Sequence, residues 1–141
     1  MSNRDLDAEQ ANKDLVRTAF EQWAQGTGGP FGLLADDASW TIVGNSVASR
    51  AYASRQEFLD TVIDPFNGRL ATPLVPTVRE IFAERGWVIV LFDAEATARD
   101  DKPYRNTYTW YLRIDRERIV EAIAFFDTVE FNEFWARVDP A

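Results

Sequence analysis

The chain contains neither histidine nor cysteine. That excludes imidazole acid–base chemistry, thiolate nucleophiles, disulfides and Cys/His zinc sites, and leaves any chemistry to carboxylates, Tyr, Lys, Arg or water. Two acids stand out by position. In the stretch 119–127, Ile119, Ile123, Phe125 and Asp127 alternate against Val120, Ala122, Ala124 and Phe126, so Asp127 is a carboxylate at the end of an apolar row. One reading is that it caps the following element through backbone N–H groups, since Asp-Thr before a helical stretch is ordinary capping chemistry. The other is that it projects into a pocket, where loss of water raises its pKa and suits it to proton transfer. Asp93 lies on a strand whose register decides its role. With a symmetric loop at 100–103, Asp93 and Glu95 oppose Trp110 and Tyr108 and look inward. Offset by one, Val88, Val90, Phe92, Ala94 and Ala96 take the interior and the acids are solvated. The binary pattern favours the second register, and a bulge would admit Val88, Val90 and Asp93 together.

A second group of residues is suited to holding a ligand. Five Trp, four Tyr and ten Phe are a heavy aromatic load, and Phe20, Phe58, Phe66 and Phe82 are accounted for as core filler. Trp40, Tyr108, Trp110 and Phe125 differ, because all four are on strands expected to face the same space, with Ile42 and Asn106 on the same rows. A concave sheet too curved for its helices to fill would leave an aromatic-walled cavity there, suited to a flat apolar molecule. The opposite row, Thr107, Thr109, Tyr111 and Arg113, offers a surface for another chain.

Positioning these residues requires two long helices and a sheet. Ala11, Leu15, Ala19, Phe20 and Trp23 recur at helical spacing over 8–24, with Asp7 and Gln10 as a capping box. Glycines and Pro30 end that helix, and 31–35 adds a short helical turn. A strand over 38–43 puts Trp40 and Ile42 on one face, and 44–53 reads as loop. Ser54-Arg55-Gln56-Glu57 opens a second helix, whose last turn Pro65 bends or shortens. Strand formers then dominate 77–83, 86–98, 104–114 and 118–126, separated by turn residues, and a last short helix spans 129–138. Helices followed by an antiparallel meander make an α+β domain. A length of 141 residues predicts one domain over 1–141, with residues 1–7 expected to be disordered.

A net charge of −8 repels phosphate backbones and anionic membranes, so neither nucleic acid nor a membrane is an expected partner. The first ten residues lack the basic flank and apolar run of a secretory signal, and no apolar run approaches the length of a membrane span; the location expected is cytoplasmic.

The order helix, LLADDASWTIVG, helix, then hairpins ending in DKPYRNTYTWYLRIDRERIVEAIAFFDT resembles the SnoaL-like polyketide cyclase family. That family belongs to the superfamily of nuclear transport factor two, ketosteroid isomerase and limonene epoxide hydrolase. The likeness covers roughly residues 11–128. It implies a cone-shaped α+β barrel, with N-terminal helices packed on a strongly curved antiparallel sheet, often paired into homodimers through the sheet. Activity varies across the superfamily, so the site is compared residue by residue. At the positions of the isomerase base, helix Tyr and second Asp, this chain has Ile42, Ala19 and Trp110. The epoxide hydrolase acids match Asp127 and Asp93, but its Arg, Tyr and Asn positions hold Leu91, Trp40 and Ile42. SnoaL-type cyclases match at Asp127, their acid or base for ring closure, while their assisting His cannot exist here. Many relatives carry an Arg and a Tyr just before this Asp, where this chain has Ile123 and Phe125. The resemblance thus implies a pocket protein for a small apolar molecule, needing neither cofactor nor metal. As an enzyme it would be an isomerase, cyclase or hydrolase using Asp127 with Asp93; the alternative is a non-catalytic carrier or sensor.

Overall fold

A computed structural model describes residues 3–141. Helix α1 (Asn3–Gln25) begins ahead of the expected Asp7 cap and takes in residues 3–7, which were expected to lack order; residues 1 and 2 lie outside the described residues. Its inward stripe buries Val16, Ala19 and Phe20. Gly26, at φ 75°, ends it in a Schellman motif, with Gly26 N–H on the Trp23 carbonyl and Thr27 N–H on that of Gln22. A 3-10 turn (Pro30–Leu33) leads into β1 (Leu34–Ile42), and the stretch expected as plain loop contains the two-residue β2 (Ala51–Tyr52), antiparallel to β1.

Helix α2 (Arg55–Phe58) starts on Ser54, whose hydroxyl accepts from Glu57 N–H at 3.1 Å. The Glu57 carboxylate returns to Ala53 N–H at 3.0 Å, one residue earlier than in a standard capping box. Pro65 neither ends nor shortens the helix. The chain instead widens into a π turn (Leu59–Ile63) ahead of α3 (Asp64–Asn67), with Asp64 N–H bonded to the Leu59 carbonyl. A wider turn accommodates a ring that has no N–H and crowds the preceding carbonyls.

Strands β3 (Val75–Glu84), β4 (Trp87–Thr97), β5 (Pro103–Asp115) and β6 (Arg118–Phe126) complete a six-stranded sheet of order β2-β1-β6-β5-β4-β3. The sheet is curved but unclosed, with β2 and β3 as its edges, and it is not purely antiparallel, because β1 runs parallel to β6. Two-residue turns at Arg85-Gly86 and Arg116-Glu117, all with positive φ, close the first and last hairpins in the sense that matches strand twist. Helix α4 (Thr128–Arg137) returns across the sheet, burying Phe131 and Phe134. Among the described residues no helix is long and apolar enough to cross a membrane.

Two register facts fix the faces of the sheet. Val90 pairs with Trp110 and Phe92 with Tyr108, so β4 turns its apolar row inward and Asp93, opposite Thr107, outward. In β6 the pairing slips between Arg113–Glu121 and Ile114–Ile119, leaving one extra residue, a β-bulge. Before the slip Ile119 is buried; after it Ala122 and Ala124 are buried, and the odd-numbered residues turn outward.

Candidate functional site

Between the sheet, α1 and the α2–α3 segment lies a cavity of about 500 Å³. Trp40 and Ile42 reach it from β1, Tyr108 and Trp110 from β5, and Ala124 and Phe126 from β6. On the helical side Trp23 comes from α1 and Phe131 from α4, while Phe58, Val62 and Phe66 recur every four residues along one face of the second helical segment. Ring packing holds the walls: Trp40 stacks on Phe58 at 4.3 Å, Trp23 lies parallel to Trp110 at 5.8 Å, and Trp40 meets Trp110 edge-on at 4.9 Å. Opposite Trp110 in the ladder stands Ala124, and a methyl facing an indole is one reason that the space is not filled. Asn67 and residues 70–74 form one side, where the exposed Asn67 and Thr72 bring polar side chains.

Of the residues singled out as ligand-binding, Trp40, Ile42, Tyr108 and Trp110 line this cavity, and Asn106 and Phe125 do not. Phe125 is 47% exposed and packs against Tyr111 on the outer face, because the β6 bulge reverses the alternation read from the sequence. The same reversal brings Phe126, assigned to the outer row, into the cavity wall. The lining residues Trp23, Phe31, Phe58, Phe66 and Phe131 were not anticipated as site residues, although the spacing of Phe58, Val62 and Phe66 carried the signal.

Neither expected proton-transfer acid lines the cavity. Asp93 is solvated, its carboxylate accepting from the Thr107 hydroxyl at 2.6 Å and lying 3.7 Å from Arg79. Asp127 is exposed and is the N-cap of α4, one oxygen accepting from Val129 N–H at 3.0 Å and Glu130 N–H at 3.3 Å. The capping alternative is therefore the one the structure displays. The two acids, with Asn106 and Thr107, line a second groove that is distinct from the aromatic cavity. Among the described residues no group of three or more acids is arranged to hold a metal ion. Asp127→Ala is expected to lower stability by about 1 kcal/mol, while Asp127→Asn, still a good cap, changes it little. Urea midpoints of the two variants measure this.

Asn106 is buried and organises the polar end of the site. Its carbonyl oxygen accepts from the backbone N–H of Thr107 at 2.8 Å and of Asp127 at 3.1 Å. Its amide nitrogen donates to the Asp127 carbonyl at 3.0 Å and to the Tyr104 hydroxyl at 2.8 Å. Tyr104 and Tyr108 are joined through their hydroxyls at 2.7 Å. Burial pushes the Tyr104 hydroxyl up to about 12 and that of Tyr108 well above its ordinary value, so both are neutral at physiological pH. Because the unfolded chain releases these protons near pH 10.0 and the folded chain holds them longer, stability is unaffected below that pH and falls as pH rises through about 12. The Tyr104 difference alone corresponds to about 3 kcal/mol. Urea unfolding at pH 8 to 12, with Tyr104→Phe as the flattened comparison, reads it.

No protein-family model matches the sequence, and no curated protein matches it. Solved structures do match in shape. An NTF2-like protein of unknown function from Burkholderia pseudomallei is 20% identical, with the whole of both chains covered and a TM-score of 0.70. A putative hydroxylase from Streptomyces galilaeus is 13% identical over 92% of this chain and 98% of its own, at a TM-score of 0.72. A putative SnoaL-like polyketide cyclase from Jannaschia sp. CCS1 is 13% identical over 91% of this chain and 93% of its own, at 0.69. At these identities the likeness establishes the fold, which is that of the NTF2-like and SnoaL-like proteins.

Proposed function

We propose that this NTF2-like fold binds one small, flat, largely apolar organic molecule in its aromatic cavity, as a carrier or sensor. The observation that carries this reading is the composition of the wall. It is built mostly from indole, phenyl and aliphatic side chains, with the Tyr108 hydroxyl and the exposed Asn67 and Thr72 as its polar side chains, and the two acids expected to transfer protons stand outside it. An apolar cavity with few convergent polar groups is the usual form of a ligand site. Proton transfer to a substrate needs a titrating group within hydrogen-bond reach, and Tyr108, neutral and hard to ionise, is a poor base.

The outer face of β3–β6, which carries Phe82, Ile89, Tyr111, Ile123 and Phe125, supports pairing of two copies through the sheet, leaving both cavities free. That arrangement joins the ligand reading as part of one proposal.

Filling the cavity is the direct test. Ala124→Phe places a ring against Trp110 in the space that a ligand would take. Wild-type protein at a hundredfold excess of tetralin over its Kd should gain about 2.7 kcal/mol by mass action. The variant should lose the gain while remaining folded in the absence of tetralin. A stabilisation equal in both proteins would place the tetralin elsewhere and reject the cavity as the site.

A further inference from the structure

The Asn106–Tyr104–Tyr108 chain has a direction, and the direction selects the ligand. Asn106 accepts two backbone N–H groups, those of Thr107 and Asp127, so its oxygen is identified and its nitrogen must be the group facing Tyr104. The Tyr104 oxygen thus already accepts a hydrogen bond, and its own proton needs an acceptor. Tyr104 is 1% exposed and walled by Phe66 at 5.3 Å and Phe134 at 4.6 Å. The partner within reach is the Tyr108 oxygen, 2.7 Å away. If Tyr108 donated instead, the Tyr104 proton would be left unpaired in an apolar enclosure, which is the costlier arrangement. Tyr104 therefore donates to Tyr108, and the Tyr108 proton is the one left over. Tyr108 lines the cavity and Tyr104 does not.

The other lining side chains sharpen the point. The indoles of Trp23, Trp40 and Trp110 can donate and cannot accept, and the lining side chains with acceptor atoms other than Tyr108 are Asn67 and Thr72, both exposed. Tyr108 oxygen is already supplied with a proton from Tyr104. A ligand N–H or O–H buried there would have to share an oxygen that already accepts from Tyr104, whereas a ligand oxygen with lone pairs would take the proton that is left over and complete the chain.

We infer that Tyr108 is the specificity-determining residue of the cavity, and that the ligand class is a flat apolar molecule carrying an uncharged acceptor oxygen, such as a ketone, which receives the Tyr108 hydrogen bond. This rests on the proposal that the cavity binds ligands, and deepens it. Donors linked in series polarise one another, so the terminal hydroxyl is a better donor than an isolated tyrosine.

The test compares α-tetralone with tetralin, which differ by a carbonyl in place of a methylene, on wild-type protein and on Tyr108→Phe, by tryptophan fluorescence titration. Tyr108→Phe should weaken α-tetralone about tenfold and leave tetralin within about twofold, the size of one hydrogen bond with an uncharged partner. In the wild-type complex the carbonyl stretch of bound α-tetralone should move to lower frequency, and in Tyr108→Phe it should return; this infrared measurement on the wild type needs no variant to fold. Unchanged tetralin affinity reports that the variant is intact. Equal weakening of both molecules, or a carbonyl stretch indifferent to Tyr108, overturns the inference while leaving the cavity as a ligand site. Failure of tetralin to bind the wild type, or binding untouched by Ala124→Phe, removes the ligand reading itself and this inference with it.

Discussion

Trp110→Ala is expected to lower the unfolding free energy by about 4 kcal/mol, a large share of the stability of a domain this size. Trp110 is buried, and its ring has six aromatic neighbours: Phe20 at 5.7 Å, Trp23 at 5.8 Å, Phe31 at 5.8 Å, Trp40 at 4.9 Å, Phe92 at 4.9 Å and Tyr108 at 6.3 Å. Among the described residues no other side chain joins α1, β1, β4 and β5 through so many ring contacts, so truncation removes dispersion and edge-to-face contacts from four elements together. Its ladder partner Ala124 is too small to follow into the gap. The adjoining cavity gives Phe31 and Trp40 room to shift, which keeps the cost from exceeding the usual range for a buried indole. Urea unfolding reads the outcome: the midpoint should drop with an unchanged slope, and Trp110→Phe, which keeps a ring at the centre of the cluster, should lose less than half as much. A loss under about 1 kcal/mol would mean that the aromatic net contributes little to holding the sheet against α1.

Much of the arrangement around Trp110 is legible in the residue pattern, and the failures have local causes. Period-two alternation places Trp40, Ile42, Tyr108 and Trp110 on inward faces because nothing interrupts the stretches that hold them. For β4 the two candidate registers turn inward either Val88, Val90, Phe92, Ala94 and Ala96 or the row of Trp87, Ile89 and Leu91 that also carries Asp93 and Glu95, and the row without acids wins, as desolvation costs dictate. The error at Phe125 and Asp127 arises from a single residue. A bulge in β6 has no sequence signature stronger than the alternation itself, yet it inverts every face after it, and so it carries Phe125 and Asp127 from the cavity side to the outside. Family resemblance implied a chemical role for Asp127, whereas the structure stands its carboxylate outside the cavity with one oxygen capping the first turn of α4. The parallel pairing of β1 with β6 was hidden for another reason. It joins strands at opposite ends of the sheet's sequence, and no local pattern encodes a pairing across so many residues. Asn106 stands on the row that the alternation assigns to it but does something else there, because its amide ties the Asp127 backbone to Tyr104 instead of touching the cavity.

Arg69 gave no sequence signal at all, because one arginine after Asn67-Gly68 reads as a solvated turn residue, and its replacement should nevertheless be among the most damaging. Only 7% of it is exposed. The guanidinium lies over the Trp135 ring at 3.8 Å and donates to three carbonyls, Trp135 at 3.1 Å and Val138 at 2.7 Å through Nε, and Pro65 at 3.0 Å through Nη1. Pro65 lies in α3, and Trp135 and Val138 lie in and just after the last turn of α4. Those carbonyls have no intrahelical donor to wait for, so one side chain satisfies orphan acceptors at the ends of two helices and complements both dipoles. Burial pulls its pKa down and Asp139 partly opposes this, but an arginine stays charged throughout the accessible range. Arg69→Met keeps the apolar stem and removes every donor, leaving buried carbonyls unpaired at a cost of about 4 kcal/mol. Arg69→Lys restores a charge without the planar fork and should recover less than half of that. Hydrogen exchange separates this from a general loss of packing. If Arg69 fastens α4 to α3, the amides of Phe131 to Arg137 should lose protection before those of β4 and β5 do, and a uniform loss across the sheet would show that the contacts seen at its guanidinium are not what keeps α4 in place.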